Sequence, residues 1–227
     1  GPRLVAEVSL RRPRAHAEQL VPMVGEALRL AGRAAADLGA VAVSQGPGSY
    51  TGLRIGASTA KGLALAAGAR LVAVPSLEAL AARAAPFASA GDLVLPAFNA
   101  RRDEVYVAAF RVDASRVDAG GALTLLKETA ALSPAALAAW APPSEGGGVW
   151  LLGEGAAQTA PALAEAGIEA RALGPEAVAP SAAAVARRAW PRIEAGAFED
   201  VAAFEPFYLK AFVAKKPKGS IFDRLPS

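Results

Sequence analysis

Ser44-Gln45-Gly46-Pro47-Gly48-Ser49-Tyr50-Thr51-Gly52-Leu53-Arg54-Ile55-Gly56 is the stretch whose reading decides the fold. The apolar run 41–44 that enters it reads as a short buried strand. The spacing of apolar residues from about Leu53 to Ala67, stopped by Gly68, reads as a helix. A strand that passes through a glycine-rich turn into a helix points backbone N–H groups outward at the positive end of the helix dipole, which favours anions. Two phosphate motifs are excluded. The Gly-Lys-Ser/Thr ending of a P-loop is absent, and the spacing G-x-G-x-x-x-G is not the dinucleotide fingerprint. Gly46, Gly48, Ser49, Thr51, Gly52 and Arg54 therefore form either a tight strand-to-helix turn with glycines at positive φ, or an anion-binding loop. Further along, Gly56, Ala60 and Ala64 recur every four residues, giving one helix face little more than backbone. A partner helix, from this chain or another, is expected against that face.

Outward from this turn the first half alternates. Residues 4–10 read as a strand and 15–31 as an amphipathic helix with Leu20, Val24, Ala27, Leu28 and Ala31 at helical spacing. After the turn and its helix, residues 71–74 read as a strand and Ser76 as the N-cap of the next helix. Strand and helix in alternation imply a parallel sheet with helices packed on it. The second half reads as strands at 93–98, 104–112 and 122–128, with a turn at 118–121. A flexible loop follows at 142–148, then a buried strand at 149–153 and helices near 156–166 and 181–190. No repeat is visible at the residue level. The expected plan is two α/β lobes, 1–94 and 95–204, then a segment 205–227 in which Phe207-Tyr208-Leu209 docks before a basic tail leaves.

Composition narrows the function classes. Hydrophobic residues make up 53% of the 227, which excludes a disordered chain. The 59 alanines are the bias that GC-rich genomes commonly produce and carry no functional weight. The longest charge-free runs, 38–53 and 129–144, are broken by Gly or Pro and fall short of the roughly 18 apolar residues of a membrane span. Arg3, Glu7, Arg11 and Arg12 interrupt any signal-peptide core, so a cytoplasmic setting of the bacterial type is expected. The absence of Cys excludes thiol chemistry and disulfides, and a single His16 excludes any site built on two imidazoles. His16 reads first as a helix-end or interface residue. The formal charge of +3 is misleading, because residues 210–227 carry +4 and the rest of the chain −1. A nucleic-acid module would show its basic stripe on the folded body. Arg101, Arg102, Lys215, Lys216 and Lys218 are the candidates for an anion or nucleic-acid contact, against a plainer reading as solvated charges.

The run Gly46 to Gly56, continued by Ala60-Lys61-Gly62-Leu63-Ala64, closely resembles the signature of the TsaB (YeaZ) family. Supporting similarity lies in Arg14-Ala15-His16-Ala17-Glu18-Gln19-Leu20-Val21-Pro22 and in Asn99-Ala100-Arg101-Arg102-Asp103-Glu104-Val105-Tyr106, where Asn99 replaces the family's usual acid. Leu152-Gly153-Glu154-Gly155-Ala156 and Pro206-Phe207-Tyr208-Leu209-Lys210 also fit. Family members normally open with a hairpin of about twenty residues ahead of the point where this chain starts; on that comparison the chain is expected to be incomplete at its N-terminus.

The resemblance implies an actin-like ATPase (ribonuclease H-like) architecture, a duplicate of two α/β lobes, each a mixed sheet with flanking helices. It implies a non-catalytic partner of the TsaD transferase, working alongside the ATPase TsaE in forming threonylcarbamoyladenosine next to the anticodon of tRNA. On this reading no residue is catalytic, no metal or cofactor is intrinsic, and ATP and metal belong to the partner subunits. The partner surface is expected at Leu20, Val24, Leu28, Gly56, Ala60 and Ala64, with a homodimer through the same helices as a further expectation, tRNA met only through the complex and no membrane contact. Gly153-Glu154-Gly155 agrees, because a carboxylate in a phosphate loop repels phosphate oxygens. The alternative is an actin-like-fold enzyme, an ATPase or a glycoprotease-like peptidase.

Overall fold

The computed structural model describes residues 3–210, apart from 13–15, 85, 102, 114–122 and 175–177. In the first lobe, helix α1 (His16–Leu30) carries Glu18 in its first turn and Arg29 in its last, matching the helix dipole. Strand β1 (Ala40–Gly46) and strand β2 (Arg70–Pro75) pair in parallel and are joined by helix α2 (Tyr50–Ala67). Helix α3 (Ser76–Ala81) follows directly. Parallel strands covered on both faces need continuous apolar runs. Accordingly Leu71, Val72 and Val74 are fully buried. On one face Val43, Leu71 and Ala73 meet Ala57 and Ala60 of α2 together with Phe204. α1 packs on the outside of α2.

The second lobe is built on five strands: β3 (Leu93–Asn99), β4 (Val105–Val112), β5 (Leu123–Leu132), β6 (Val149–Leu152) and β7 (Ala170–Leu173). Their order is β5-β4-β3-β6-β7, antiparallel from β5 to β3 and parallel from β3 to β7. This is the mixed sheet of a ribonuclease H-like lobe. Helix α4 (Pro134–Trp140) and helix α5 (Ala156–Glu165) cover one face, burying Leu137 and Leu163. Leu77 and Leu80 of α3 pack on the other face with Val94, Tyr106 and Phe110.

The duplication shows most clearly in backbone terms. β1-α2-β2 and β6-α5-β7 are the same strand–helix–strand unit. Each first strand runs into a glycine at positive φ, Gly46 at 117° and Gly153 at 91°. A Cβ at Gly46 would lie 2.5 Å from the Phe207 carbonyl oxygen, and one at Gly153 would lie 2.5 Å from that of Ala97. Only glycine fits either turn.

Several expectations are corrected. Residues 4–10 form no strand: Leu4 and Val5 are half or more exposed and the segment joins no ladder. Alternation alone does not make a strand without a neighbour to pair with. The Glu7 carboxylate instead accepts from Ser181 Oγ at 2.7 Å and from the Ala183 amide at 3.0 Å, at the start of helix α6 (Ala182–Glu194). α6 falls within the 95–204 lobe by sequence, yet it packs on the first lobe, where Val185, Ala189 and Ile193 cover Val72, Val74 and Ala79. The second face of the β1–β2 pair needs an apolar cover, and α6 supplies it. Ser76 is the first residue of α3, not its cap; its hydroxyl turns to β1. α2 starts three residues earlier than expected, capped by Ser49. The turn at 118–121 and the basic tail lie outside the described residues.

Candidate functional site

Hydrogen bonds within the chain hold the glycine turn. The Gly46 amide donates to Ser76 Oγ at 3.0 Å, and the Ser76 and Ser44 hydroxyls lie 2.6 Å apart. Ser49 Oγ accepts from the Gly52 amide at 3.4 Å, while the Ser49 carbonyl accepts from the Leu53 amide at 2.8 Å. The Phe207 amide donates to the Gln45 carbonyl at 2.7 Å, laying the C-terminal segment over the turn. Amide donors that an anion would use are thus already engaged at Gly46 and Gly52. Thr51 is exposed on the first turn of α2. The Arg54 guanidinium sits 5.6 Å from the centre of the Tyr50 ring, which in turn stacks on Tyr208 at 5.0 Å.

The small-residue stripe on α2 splits. Ala60 and Ala64 are 6% and 1% exposed and turn into the chain's own core, so they cannot face a second chain. The reason is spatial: alanines here let α2 close onto the sheet. Gly56 looks outward, with open space where a Cβ would stand. Leu20, Val24 and Leu28 are half-buried on α1, and Val21 beside them is 63% exposed. What stays open on the helix pair is Val21 and Leu30 on α1, and Leu65 and the space over Gly56 on α2.

Between the lobes lies a cleft of about 460 Å³, with Gln45, Gly46 and Phe207 on one side and Phe110, Leu123 and Glu128 on the other. At its wall Glu78 of α3 accepts from Arg188 Nε at 2.7 Å and from Arg192 Nη2 at 2.7 Å. Burial pushes the Glu78 carboxyl up, but the two guanidiniums outweigh it and hold it below the usual carboxylate range. Asp92 behaves alike: burial raises it, and donors from Ser89, Trp150 and Gly148 bring it below its ordinary value. These groups were not singled out from sequence. The i,i+4 spacing of Arg188 and Arg192 was a faint signal, but their partner lies 110 and 114 residues away. Arg101 is exposed in the β3–β4 hairpin at φ 62°, while Arg102, Lys215, Lys216 and Lys218 lie outside the described residues. The side chain of His16 is likewise not described. Phe98 packs against the second-lobe core, and no described helix is long and apolar enough to cross a membrane.

Comparison with known proteins gives the turn its context. The family model described as TsaD: tRNA N6-adenosine threonylcarbamoyltransferase matches residues 4–214. The solved structure of YeaZ from Pseudomonas aeruginosa superposes with a TM-score of 0.71 at 30% identity, covering 87% of this chain and 85% of that one. The chain belongs to the TsaB/YeaZ family. The tRNA threonylcarbamoyladenosine biosynthesis protein TsaB of Escherichia coli (strain K12) is 40% identical over 101 residues, 44% of this chain and 43% of the relative. That of Bacillus subtilis (strain 168) is 38% identical over 108 residues, 48% and 46% respectively. The chain thus matches less than half the length of these two curated TsaB relatives. Family membership and the five-stranded order together establish the actin-like ATPase fold for this TsaB/YeaZ-type chain.

Proposed function

We propose that this TsaB/YeaZ-type chain is a non-catalytic partner of a TsaD-type transferase in forming threonylcarbamoyladenosine on tRNA, acting as a scaffold through α1 and α2. The observation that carries this reading is the internal use of the glycine turn: Gly46 N–H is bound by Ser76, Gly52 N–H by Ser49, and Gln45 by Phe207. With two of its amides engaged and Phe207 laid over it, the turn shapes the start of α2 and has fewer donors to offer phosphate oxygens. The names of the relatives, biosynthesis proteins for that tRNA modification, supply the pathway.

The proposed contact is the open side of the α1–α2 pair, where Gly56 has no neighbour and Val21 stands exposed. Apolar centres of this kind characterise lasting interfaces, and a glycine lets a facing helix approach its backbone. The partner subunits supply ATP and metal, tRNA is met through the assembly, and TsaE joins through TsaD. The test is size-exclusion analysis of the chain mixed with its cognate TsaD, with calorimetry of the chain alone against ATP and magnesium. A one-to-one complex that Gly56→Arg abolishes, with no ATP heat above background, is expected. Micromolar ATP affinity that vanishes on Gly48→Val would overturn the scaffold reading in favour of an active nucleotide site.

A further inference from the structure

Residues 205–210 have neither helix nor ladder, yet they touch both lobes. At the first-lobe end the Phe207 amide donates to Gln45 at 2.7 Å, the Phe207 carbonyl covers Gly46, and Tyr208 stacks on Tyr50. At the second-lobe end Leu209 packs against the sheet's core. Lys210 Nζ donates to the Ala100 carbonyl at 3.0 Å, pairs with the Glu104 carboxylate and lies 5.7 Å over the Tyr106 ring. We propose that this segment is a clasp between the lobes that sets how far the cleft opens, with Lys210 as its releasable end.

The two ends differ in kind. The first is a backbone hydrogen bond plus a contact so close that only glycine fits beneath it. The second is an ion pair whose side chains are 29% and 34% exposed, hence weak and screened by salt. It also rests on the β3–β4 hairpin, where Arg101 and Asp103 hold positive φ at 62° and 58°. Non-glycine residues there keep that conformation only while their surroundings enforce it. Phe207 belongs both to the segment and to the cleft wall, so movement of the segment moves the wall. On the other side α3 inserts Leu77 and Leu80 under the second sheet and serves as the pivot. A pivot and one labile tie make a hinge with two settings.

The chain has no cysteine, so Ser58→Cys and Ala157→Cys, both exposed and one in each lobe, can carry a pair of spin labels without background. The distance distribution between them is the deciding readout. Lys210→Ala and Glu104→Gln are each expected to lengthen and broaden it, while Lys210→Arg, which keeps the cation over Tyr106, leaves it as in the parent. Raising salt from about 0.05 to about 1 M reproduces the lengthening in the parent and adds little in Lys210→Ala. Exchange of the Phe207 amide is expected to speed up about tenfold in the same variants. Should Lys210→Ala fail to fold, Glu104→Gln and the salt series decide. An unchanged distance distribution in the folded variants and across salt overturns the proposal, even if Phe207 exchanges faster, because the segment then frays without moving the lobes.

Discussion

Replacing Gly46 with Ala tests the turn on which the first lobe depends. The residue sits at φ 117°, and a Cβ there would stand 2.5 Å from the Phe207 carbonyl oxygen and 3.2 Å from Leu53 Cδ1. The backbone conformation alone costs about 1–3 kcal/mol for a non-glycine residue. The clash is with backbone, so Phe207 must withdraw, and its hydrogen bond to Gln45 goes with it at about 0.5–1.5 kcal/mol. The sum is about 1.5–4.5 kcal/mol. For a chain of this length each kcal/mol moves the melting temperature by about 2–4 °C, so a fall of roughly 3–18 °C is expected. Thermal unfolding followed by circular dichroism measures it, with Gly48→Ala as the control. Gly48 has no positive φ and its Cβ would meet Leu53 at an ordinary 3.9 Å, so that variant should shift by under about 2 °C. Equal melting of Gly46→Ala and the control would refute the steric reasoning.

Gly153→Ala repeats the experiment in the second lobe. Its Cβ would strike the Ala97 carbonyl at 2.5 Å, and a loss of about 2–4 kcal/mol by denaturant titration is expected. Ala60→Arg should abolish folding, because it buries a charge where 6% of the residue is exposed, whereas Gly56→Arg should keep the parent's circular dichroism and melting within about 0.5 kcal/mol. Glu78→Gln should cost about 2–3 kcal/mol at neutral pH, less than a fully buried pair because Arg188 and Arg192 keep 20% and 30% exposure. Glu78 and Asp92 are both lowered on folding, so their stabilisation is complete above the ordinary values of 4.5 and 3.8 and is lost as pH falls through the lower folded values. Melting temperature against pH should therefore fall more gently in acid for Glu78→Gln combined with Asp92→Asn than for the parent.

The β1–turn–α2 junction is legible because glycine and proline act locally and need no knowledge of the rest of the fold, whereas the Ser49 cap, which starts α2 at Tyr50, is not read from the apolar spacing. Most of the second-lobe strands were legible for a similar reason, being long apolar runs between turn residues. The segment 4–10 was misread because pairing is a property of two segments and only one was on view. α4 and β7 were missed, the first being seven alanine-rich residues and the second four residues of which Arg171 and Ala172 face solvent. The position of α6 on the first lobe, the Glu78 pair and the Lys210 contact join residues more than 100 apart, and no local pattern encodes them. The small residues on α2 predict a facing helix, whereas Ala60 meets Val43, Leu71 and Ala73 of the lobe's own strands, because a run of small side chains does not encode which element approaches it. The lobe duplication was invisible by residue identity because its backbone demand reduces to a single glycine at each turn.

The most direct measurement of the proposed scaffold role is formation of threonylcarbamoyladenosine on tRNA by the cognate TsaD-type enzyme, with its ATPase, in the presence and absence of this chain. Product should require the chain, and Gly56→Arg should lower it to the level seen without the chain, although the variant remains folded. Equal product with and without the chain, or product lost only when Gly48 is blocked while the complex still assembles, would contradict a scaffold acting through α1 and α2.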